Sequence, residues 1–334
     1  RGNVDLTYNS ITPNRAFQLQ DTDSVKVWNS RARGYNYIAH NMRRAPFDDK
    51  AFRQSLGFAY PYNYLQSQLR RGLTETGDYV AAKVYEPWRP DSFDAPMEHG
   101  PYKTEDGQLD VEQTREFLRN ADGEHEYTFG SVESDVVTGD QEIRVDGELL
   151  TEAHTNNDGE AGQGPISIVI TPPSTAPVEA QAGARFVENL NEVGIPAETQ
   201  PVAEGSQNSL IWVQEDFDMW SSGWIWMPKP HMYMGFWLTS SSVDEGSDSD
   251  QVNLNPMGYT NADDLVQQVQ TTFDPEEQKQ VTQEALARVY EDQPVLVTEY
   301  PNRLHASSNA FEGWVKLPGG VTQNPWTYLN VREA

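Results

Sequence analysis

Residues 217–237 read FDMWSSGWIWMPKPHMYMGFW and contain four of the nine tryptophans and four of the seven methionines of the chain. The apolar residues follow neither the period of a helix nor that of a strand, and two prolines and two glycines interrupt them. A loop so rich in aromatic side chains is either a buried connection that packs the core or one wall of a ligand cleft. In a cleft, the aromatic faces contact a bound solute.

The sequence before this stretch alternates between strand and helix patterns. Residues 166–170 (ISIVI) form a short apolar run typical of a buried strand, and residues 177–193 repeat apolar side chains at helical spacing until Gly194. Residues 210–213 (LIWV) predict a returning strand that leads into residues 217–237. This alternation predicts a sheet covered by helices, with the aromatic stretch at a strand end, where open α/β sheets hold ligand loops.

Two helices near the carboxyl end each begin at a capping residue. Asn261 is the predicted cap of the first, whose buried face contains Leu265, Val269 and Phe273. Asp274, followed by proline and a capping-box glutamate, begins the second. Similar signals predict two further helices. One lies within residues 48–60 and begins at Asp48 or Asp49, and the other lies within residues 110–121 and begins at Asp110.

The charge of the chain is strongly negative. Lysine and arginine total 24 against 51 acidic residues, which gives a formal net charge of −27. A nucleic acid would be repelled, so a nucleic-acid partner is excluded. The acidic residues are spread along the chain, a pattern typical of halophilic proteins, in which concentrated salt screens repulsion; an ordinary acidic protein is the alternative.

The motifs of common enzyme classes are absent from the sequence. There is no Gly-x-Ser-x-Gly elbow and no phosphate-binding glycine loop, and the six histidines are scattered. The absence of cysteine excludes disulfides and cysteine-ligated metals, and no apolar run is long enough to span a membrane. The sequence therefore predicts no catalytic residues, no cofactor and no metal site.

Three segments together carry a family resemblance. Residues 37–56 read YIAHNMRRAPFDDKAFRQSL, residues 217–224 read FDMWSSGW, and residues 292–295 read DQPV. They resemble, in order, the N…PF-D…R-Q-A, Y-D…G-W and E-D-x-P segments of the extracellular solute-binding proteins of family 5. These are the dipeptide and oligopeptide binders of ABC importers, and the resemblance covers most of the chain.

The resemblance implies an α/β fold of the type II periplasmic-binding-protein class, a mixed sheet with helices packed on it. Residues 1–35 would be the tail of a first lobe, residues 36–305 a second lobe, and residues 306–334 the return to the first. An acidic, glycine-rich stretch at about 122–164 predicts a solvated insertion within the second lobe. The rest of the first lobe would precede residue 1, with a signal sequence and, in many members, a lipid-anchored cysteine.

The implied function is capture of a peptide outside the cell and delivery to a membrane permease by a monomer without enzymatic activity. The implied ligand-binding residues are Trp220, Trp224, Trp226, Met227, Tyr233, Trp237 and Tyr300. Peptide binders of the family commonly have an aspartate at the position of Met227, where it pairs with the ammonium group of the peptide. Its absence leaves an oligosaccharide, stacked on the tryptophans, as an alternative ligand. A ligand-sensing receptor and a hydrolase with a catalytic first lobe are further alternatives.

Overall fold

The computed structural model describes residues 5–90, 102–121, 123–130, 142–225, 234–235, 237–240, 255–322 and 324–334. The strands in these ranges are β1 (Val25–Arg31), β2 (Gly34–His40), β3 (Thr74–Thr76), β4 (Tyr127–Phe129), β5 (Ile143–Val145), β6 (Glu148–Leu149), β7 (Ile166–Ile170), β8 (Ala197–Pro201), β9 (Met219–Ile225), β10 (Val295–Ser308), β11 (Phe311–Glu312) and β12 (Arg332–Glu333).

The α-helices in the same ranges are α1 (Pro13–Gln20), α2 (Lys50–Ala59), α3 (Val111–Asn120), α4 (Leu150–Ala153), α5 (Pro177–Val193), α6 (Glu204–Trp212), α7 (Asp263–Thr271), α8 (Pro275–Asp292) and α9 (Pro325–Asn330). A π-helix spans Tyr64–Leu69 and a 3-10 helix spans Lys83–Trp88.

A mixed sheet organises these elements in the order β1-β10-β2-β9-β7-β8, with the short β3 paired to the middle of β10. β7 is parallel to both β8 and β9, whereas the other pairs are antiparallel. The predicted mixed sheet with packed helices is therefore confirmed.

Strand β10 is 14 residues long and changes partners along its length. Its first half pairs with β2, from Val295 opposite Ala39 to Glu299 opposite Asn36. Its second half pairs with β1 as far as Ser308. The pairing with β2 shifts register between Val297 and Glu299, just before the strand turns to its second partner.

The β-α-β unit is present, but its second strand is β8 and not residues 210–213. Helix α5 connects β7 to β8 and ends, as predicted, at Gly194, whose φ of 97° is left-handed. The predicted strand at 210–213 is wrong, because most of this run is the last turn of α6. A four-residue apolar run fits either state, whereas β8 is an edge strand whose one buried side chain, Ala197, gives little apolar pattern.

Most of the predicted helix caps are confirmed. Asp49, Asp110 and Asp274 each accept a hydrogen bond from a backbone amide in the first turn of the helix that follows. Asn261 is not a cap; its side chain donates to Asp292 at 3.0 Å and Ala262 holds the cap position. The prediction that Phe273 is buried is wrong, because α7 ends before it and its side chain is 94% exposed.

The two faces of the sheet pack against different cores. On β2, Tyr35, Tyr37 and Ala39 belong to an aromatic-rich core that also contains side chains of α7 and α8. Ile38 points to the opposite face and packs in the core built around α2 and α5. This alternation is the two-residue period expected for a strand buried on both faces.

The stretch at 122–164 is not simply a solvated insertion. Its apolar residues are few, but five of them are buried in the core of α2 and α5: Tyr127, Phe129, Ile143, Val145 and Leu150. β5 and β6 form a hairpin around Asp146-Gly147, whose φ values are 54° and 91°. The sequence did not reveal this packing, because polar residues flank each of these buried side chains along the chain.

A buried ion network fixes the beginning of β9. Asp218 accepts hydrogen bonds from Arg44 Nη1 at 2.6 Å, from His154 Nε2 at 3.1 Å, and from both the amide and the hydroxyl of Ser167 at 2.8 Å. Burial alone would raise the pKa of Asp218, but the hydrogen bond and charge of His154, together with Ser167 and Arg44, lower it to about 2. The carboxylate therefore joins β7, β9 and the segment around residue 154.

We expect Asp218→Asn to lower the free energy of unfolding by about 3–5 kcal/mol, because it leaves Arg44 buried without its main partner. Asp216→Asn is the matched control: Asp216 pairs with the same arginine but is 68% exposed, so its loss should cost less than about 1 kcal/mol. Urea denaturation of both variants at neutral pH measures the difference. Equal effects would contradict the role given to Asp218.

The same carboxylate predicts a dependence of stability on pH. Its pKa in the fold, about 2, lies below its usual value of 3.8, so its contribution is complete above 3.8 and is lost as the pH falls through about 2. The difference in stability between the wild type and Asp218→Asn should therefore shrink over this interval. Denaturation curves at a series of acidic pH values measure it, and a constant difference would overturn the assignment.

Candidate ligand-binding site

The carboxyl ends of the parallel strands lie at one edge of the sheet. β7 and β9 are parallel neighbours, so their last residues, Ile170 and Ile225, point toward the same edge. The first residue of β2, Gly34, lies opposite Ile225. This edge therefore adjoins the point where the chain passes from β1 to β2, and in open α/β sheets it is the edge at which ligands bind.

An aromatic cluster lies on one face of this edge; its members are Tyr35, Tyr37, Trp212, Trp220, Trp224 and Trp237. Trp237 stacks between Trp224 and Tyr35, with ring centroids 5.5 Å and 6.4 Å away and interplanar angles of 20° and 21°. Trp220 meets both Tyr37 and Trp212 edge to face. Such offset and edge contacts fix the rings in place.

The members of the aromatic cluster differ in burial. Trp237 is 0% and Trp220 4% exposed, and the indole of Trp220 donates to Gln207 at 3.2 Å. Trp212 and Trp224 are only half-buried, and Ile225 beside them is 46% exposed. The surface available to a solute is therefore that of Trp212 and Trp224, with Trp220 and Trp237 behind them.

The remaining predicted site residues are in two groups. Trp226, Met227 and Tyr233 lie outside the described residues. Tyr300 is buried, and its hydroxyl contacts the Asp78 carboxylate, the Tyr79 carbonyl oxygen at 2.6 Å and Arg89 Nη1 at 3.2 Å. The structure thus places Tyr300, a residue of β10, in a buried polar network within the same core as the aromatic cluster.

A second group, which the sequence did not predict, lies on the opposite face of the same edge. Arg70 Nε donates to Glu299 Oε2 at 2.9 Å, and its Nη2 donates to Glu179 Oε1 at 2.8 Å. Asn36 and Thr74 donate to Glu299 as well, at 2.8 Å and 2.7 Å. Burial would lower the pKa of Arg70, but the two carboxylates raise it above its usual range.

This polar group was hidden because its members come from distant parts of the chain. One signal could have indicated it: Glu299 is a charged residue at the end of the otherwise buried run Val295–Val297 and is 1% exposed. A carboxylate in such a run is almost always paired. The sequence gives no indication of which arginine pairs with it.

A cavity of about 310 Å³ lies beside the polar group. It is bounded by Asn36, Arg70, residues 175–179 at the beginning of α5, residues 10–12 and residues 301–303 of β10. This volume is at the lower end of the range for sites that bind small molecules. The edge of the sheet thus has aromatic surface on one face and a charged cavity on the other.

The described residues carry no arrangement typical of metal binding or of a membrane span. Within the described ranges, no cluster of three or more histidine, cysteine, aspartate or glutamate side chains is placed to hold a metal ion. No helix in these ranges is long and apolar enough to cross a membrane.

The sheet, the helices on its two faces and the loops at its edge define a lobe of a type II periplasmic binding protein. The chain belongs to the bacterial extracellular solute-binding proteins of family 5, because the model described as the family 5 middle region matches residues 1–245. This is a family of solute-binding proteins of ABC transporters and not of enzymes. A comparison with curated proteins finds no match.

Three solved structures illustrate the shared fold. The first is the oligopeptide-binding protein AppA of Bacillus subtilis, in complex with a nonapeptide. Its TM-score is 0.74 at 20% identity, and the match covers 100% of this chain and 56% of the AppA chain. NikA of Brucella suis, in complex with Fe(III)-EDTA, has a TM-score of 0.69 at 17% identity, with coverage of 100% and 58%.

The third is the dipeptide-binding protein of Pseudoalteromonas sp. SM9913 in complex with Met-Leu, with a TM-score of 0.66 at 16% identity and coverage of 99% and 54%. At these identities the likeness concerns the fold. The chain spans about half the length of the solved structures that it matches.

We expect Trp237→Ala to lower the free energy of unfolding by about 3–5 kcal/mol, because it removes the central ring of the aromatic cluster and leaves a cavity. Trp326→Ala is the control: Trp326 is 56% exposed, and its loss should change stability by about 0.5 kcal/mol or less. Urea denaturation followed by circular dichroism measures both. A small effect at Trp237 would mean that the cluster does not support the fold.

Proposed function

We propose that this chain forms the second lobe, together with segments of the first lobe, of the solute-capturing component of an ABC importer, which binds a peptide outside the cell and delivers it to a membrane permease. Membership of family 5 supports this proposal. The observation that carries it is the edge of the sheet that has half-buried Trp212 and Trp224 on one face and a charged cavity on the other. Aromatic faces beside charged and polar groups are the usual composition of a small-solute site.

The proposed lobe boundaries are residues 1–35 for the tail of the first lobe, 36–305 for the second lobe and 306–334 for the return. β10 supports this division, because it pairs with β2 and β3 up to Pro301 and with β1 from Asn302. Helix α9, in the return segment, exposes 56% of Trp326, 60% of Tyr328 and 73% of Leu329. An apolar surface of this kind is suited to contact with the rest of a first lobe.

In this proposal the solute binds between the lobes and closes them. The partner change of β10 near residues 301–302 is the hinge, since a few residues there can absorb the change in backbone angles. Closure is a shift of population driven by contacts that the solute makes only when both lobes are engaged. The same protein would then present its closed form to the permease.

Peptide is the proposed ligand, with oligosaccharide as the alternative. Two of the solved structures with this fold contain a nonapeptide and the dipeptide Met-Leu, which favours peptide. Met227 lacks the charge that would bind a peptide ammonium group, and the faces of Trp212 and Trp224 would also suit sugar rings. Any site for the ammonium group would therefore lie elsewhere in the cleft.

We further propose a monomer held at the outer cell surface by a membrane anchor in the complete protein, and an adaptation to high salt. The net charge of −27 supports the adaptation, because screening by concentrated salt reduces repulsion between the acidic groups.

We expect Trp224→Ala and Trp226→Ala each to weaken solute binding by about fivefold or more, since each removes an aromatic face worth about 1 kcal/mol or more. Binding is measured in concentrated salt by titration calorimetry, with a peptide chosen because it changes the tryptophan fluorescence of the full-length protein. Phe273→Ala is the control, because Phe273 is exposed in the connection between α7 and α8. Unchanged affinity in both tryptophan variants would remove the aromatic cluster from the ligand site.

Dialysis into low salt should abolish the folded circular-dichroism signal, because the unscreened acidic groups then repel one another. Return of the signal when potassium chloride is restored would show that the loss is reversible. A signal that persists in low salt would identify an ordinary acidic protein and contradict the proposed adaptation.

A further inference from the structure

A groove of about 640 Å³ lies on the surface of the core of α2 and α5, between the π-helix at Tyr64–Leu69 and helix α5. The turn at residues 107–109 also bounds it. The groove shares no residue with the cavity beside Arg70 or with the aromatic cluster. Its volume is within the range of sites that bind small molecules. It is therefore a candidate for a second site, separate from the one at the edge of the sheet.

One stripe of α5 forms a wall of this groove. Gln181, Arg185 and Asn189 follow one another at intervals of four residues, so they lie on the same face of the helix. Arg185 Nη1 donates to Glu188 Oε2 at 2.8 Å, and the two charges offset each other. Among the described residues that line the groove, only Glu192 adds a further charge. In a chain with a net charge of −27, this wall is nearly neutral.

Three amide side chains of the groove have their nitrogen atoms bound within the protein. Asn189 Nδ2 donates to the carbonyl oxygen of Ala59 at 2.7 Å, and Gln108 Nε2 donates to Asp106 Oδ2 at 2.9 Å. Gln181 Nε2 donates to a backbone carbonyl oxygen one turn earlier in α5, at 2.8 Å. These bonds fix the orientation of each amide. The groups left for a ligand are therefore the three side-chain carbonyl oxygens, which are acceptors.

Asn189 is the clearest of these acceptors. Its side chain is 2% exposed, and its Oδ1 has no hydrogen-bond partner among the described residues. Buried polar atoms in native proteins are almost always hydrogen-bonded, and an unpaired one is unfavourable. A donor seated in the groove would satisfy this oxygen.

The groove is held in shape before any ligand arrives. The amide of Asn63 donates to the carbonyl oxygen of Gly107 at 2.9 Å, and its side chain donates to that of Asp106 at 3.1 Å, which fixes the turn at residues 107–109. The amide of Arg70 donates to the carbonyl oxygen of Leu65 at 2.8 Å, the five-residue bond of a π-helix. π-helical turns are rare and occur frequently at functional sites. A wall that is already ordered lowers the entropic cost of binding.

We propose that this groove binds a neutral sugar of one or two rings, at a site that goes beyond the proposed capture of a peptide. Sugar hydroxyls donate to the carbonyl oxygens of Gln108, Gln181 and Asn189, and they accept from the N–H groups of Arg185 that do not bind Glu188. The ligand therefore both donates and accepts hydrogen bonds, as a hydroxyl does and as an ammonium or a carboxylate does not.

The remaining wall suits the body of a sugar ring. Tyr64 is half-buried, and Pro61 and Leu109 lie in the same wall, so apolar surface faces the groove beside the amides. An aromatic ring next to polar groups suits a ligand that has one apolar face and a polar rim. A cation would lie against Arg185 and an anion against Glu192, so a neutral ligand is favoured.

Saturation-transfer NMR with trehalose, sucrose and maltose, each added to the full chain at constant potassium chloride, tests the site. At least one of the three sugars should give saturable binding. Ala184→Trp places an indole in the groove from the exposed side of α5, so it should weaken that binding by at least about tenfold. Gln181→Ala removes one hydrogen bond and should weaken it by about fivefold.

Gln267→Trp is the matched control, because it adds an exposed tryptophan on α7, outside the groove, and should leave sugar binding unchanged. Circular dichroism verifies that each variant is folded. Saturation transfer to none of the three sugars, or unchanged affinity in Ala184→Trp, overturns the site. Binding of spermidine without binding of any sugar overturns the neutral ligand.

A competition experiment separates this groove from the candidate site at the edge of the sheet. An equimolar mixture of tripeptides, added to the sugar complex, should leave the saturation transfer unchanged, because the two sites share no residue. Displacement of the sugar by the peptides overturns the groove as its site. Peptide binding that persists in Ala184→Trp while sugar binding is lost supports two separate sites.

Discussion

The structure depends on the hydrogen-bond ladder of β10. A strand in the middle of a sheet must satisfy the donors and acceptors of both its edges. β10 does so first with β2 and β3 and then with β1, so that one continuous strand joins the part of the chain around α2 and α5 to the part that contains α1. The change of partner occurs beside a register shift, where the ladder is weakest and bending costs least.

At the edge of the sheet that holds the candidate site, one face carries aromatic side chains and the other carries charged and polar side chains. Because side chains alternate along β2, Tyr35 and Tyr37 belong to the aromatic cluster on one face, while Asn36 contacts the buried Glu299 on the other. The aromatic face gains its rigidity from ring packing, and the polar face gains it from Arg70, which binds Glu179 and Glu299 together. A solute at this edge would meet groups that are already fixed before it arrives, which lowers the entropic cost of binding.

Local signals in the sequence were dependable where a single residue determines the backbone. Asp49, Asp110 and Asp274 cap their helices, and Gly194 ends α5, because each of these effects acts within one turn. The predictions failed where burial decided the outcome. Residues 210–213 became helix, and Phe273 lies exposed beyond the end of α7, because short apolar runs do not show which face the tertiary structure will cover.

The sequence by itself determined the α/β class, the family and the acidic character. These are properties of composition, period and order along the chain, which need no contact between distant residues. Only the tertiary structure decided that Trp220 and Trp237 lie behind Trp224, and that Arg70 pairs with Glu179 and Glu299. These contacts depend on which residues the fold brings together from distant positions in the chain. Arg70 and Glu179, for example, are 109 residues apart in the sequence.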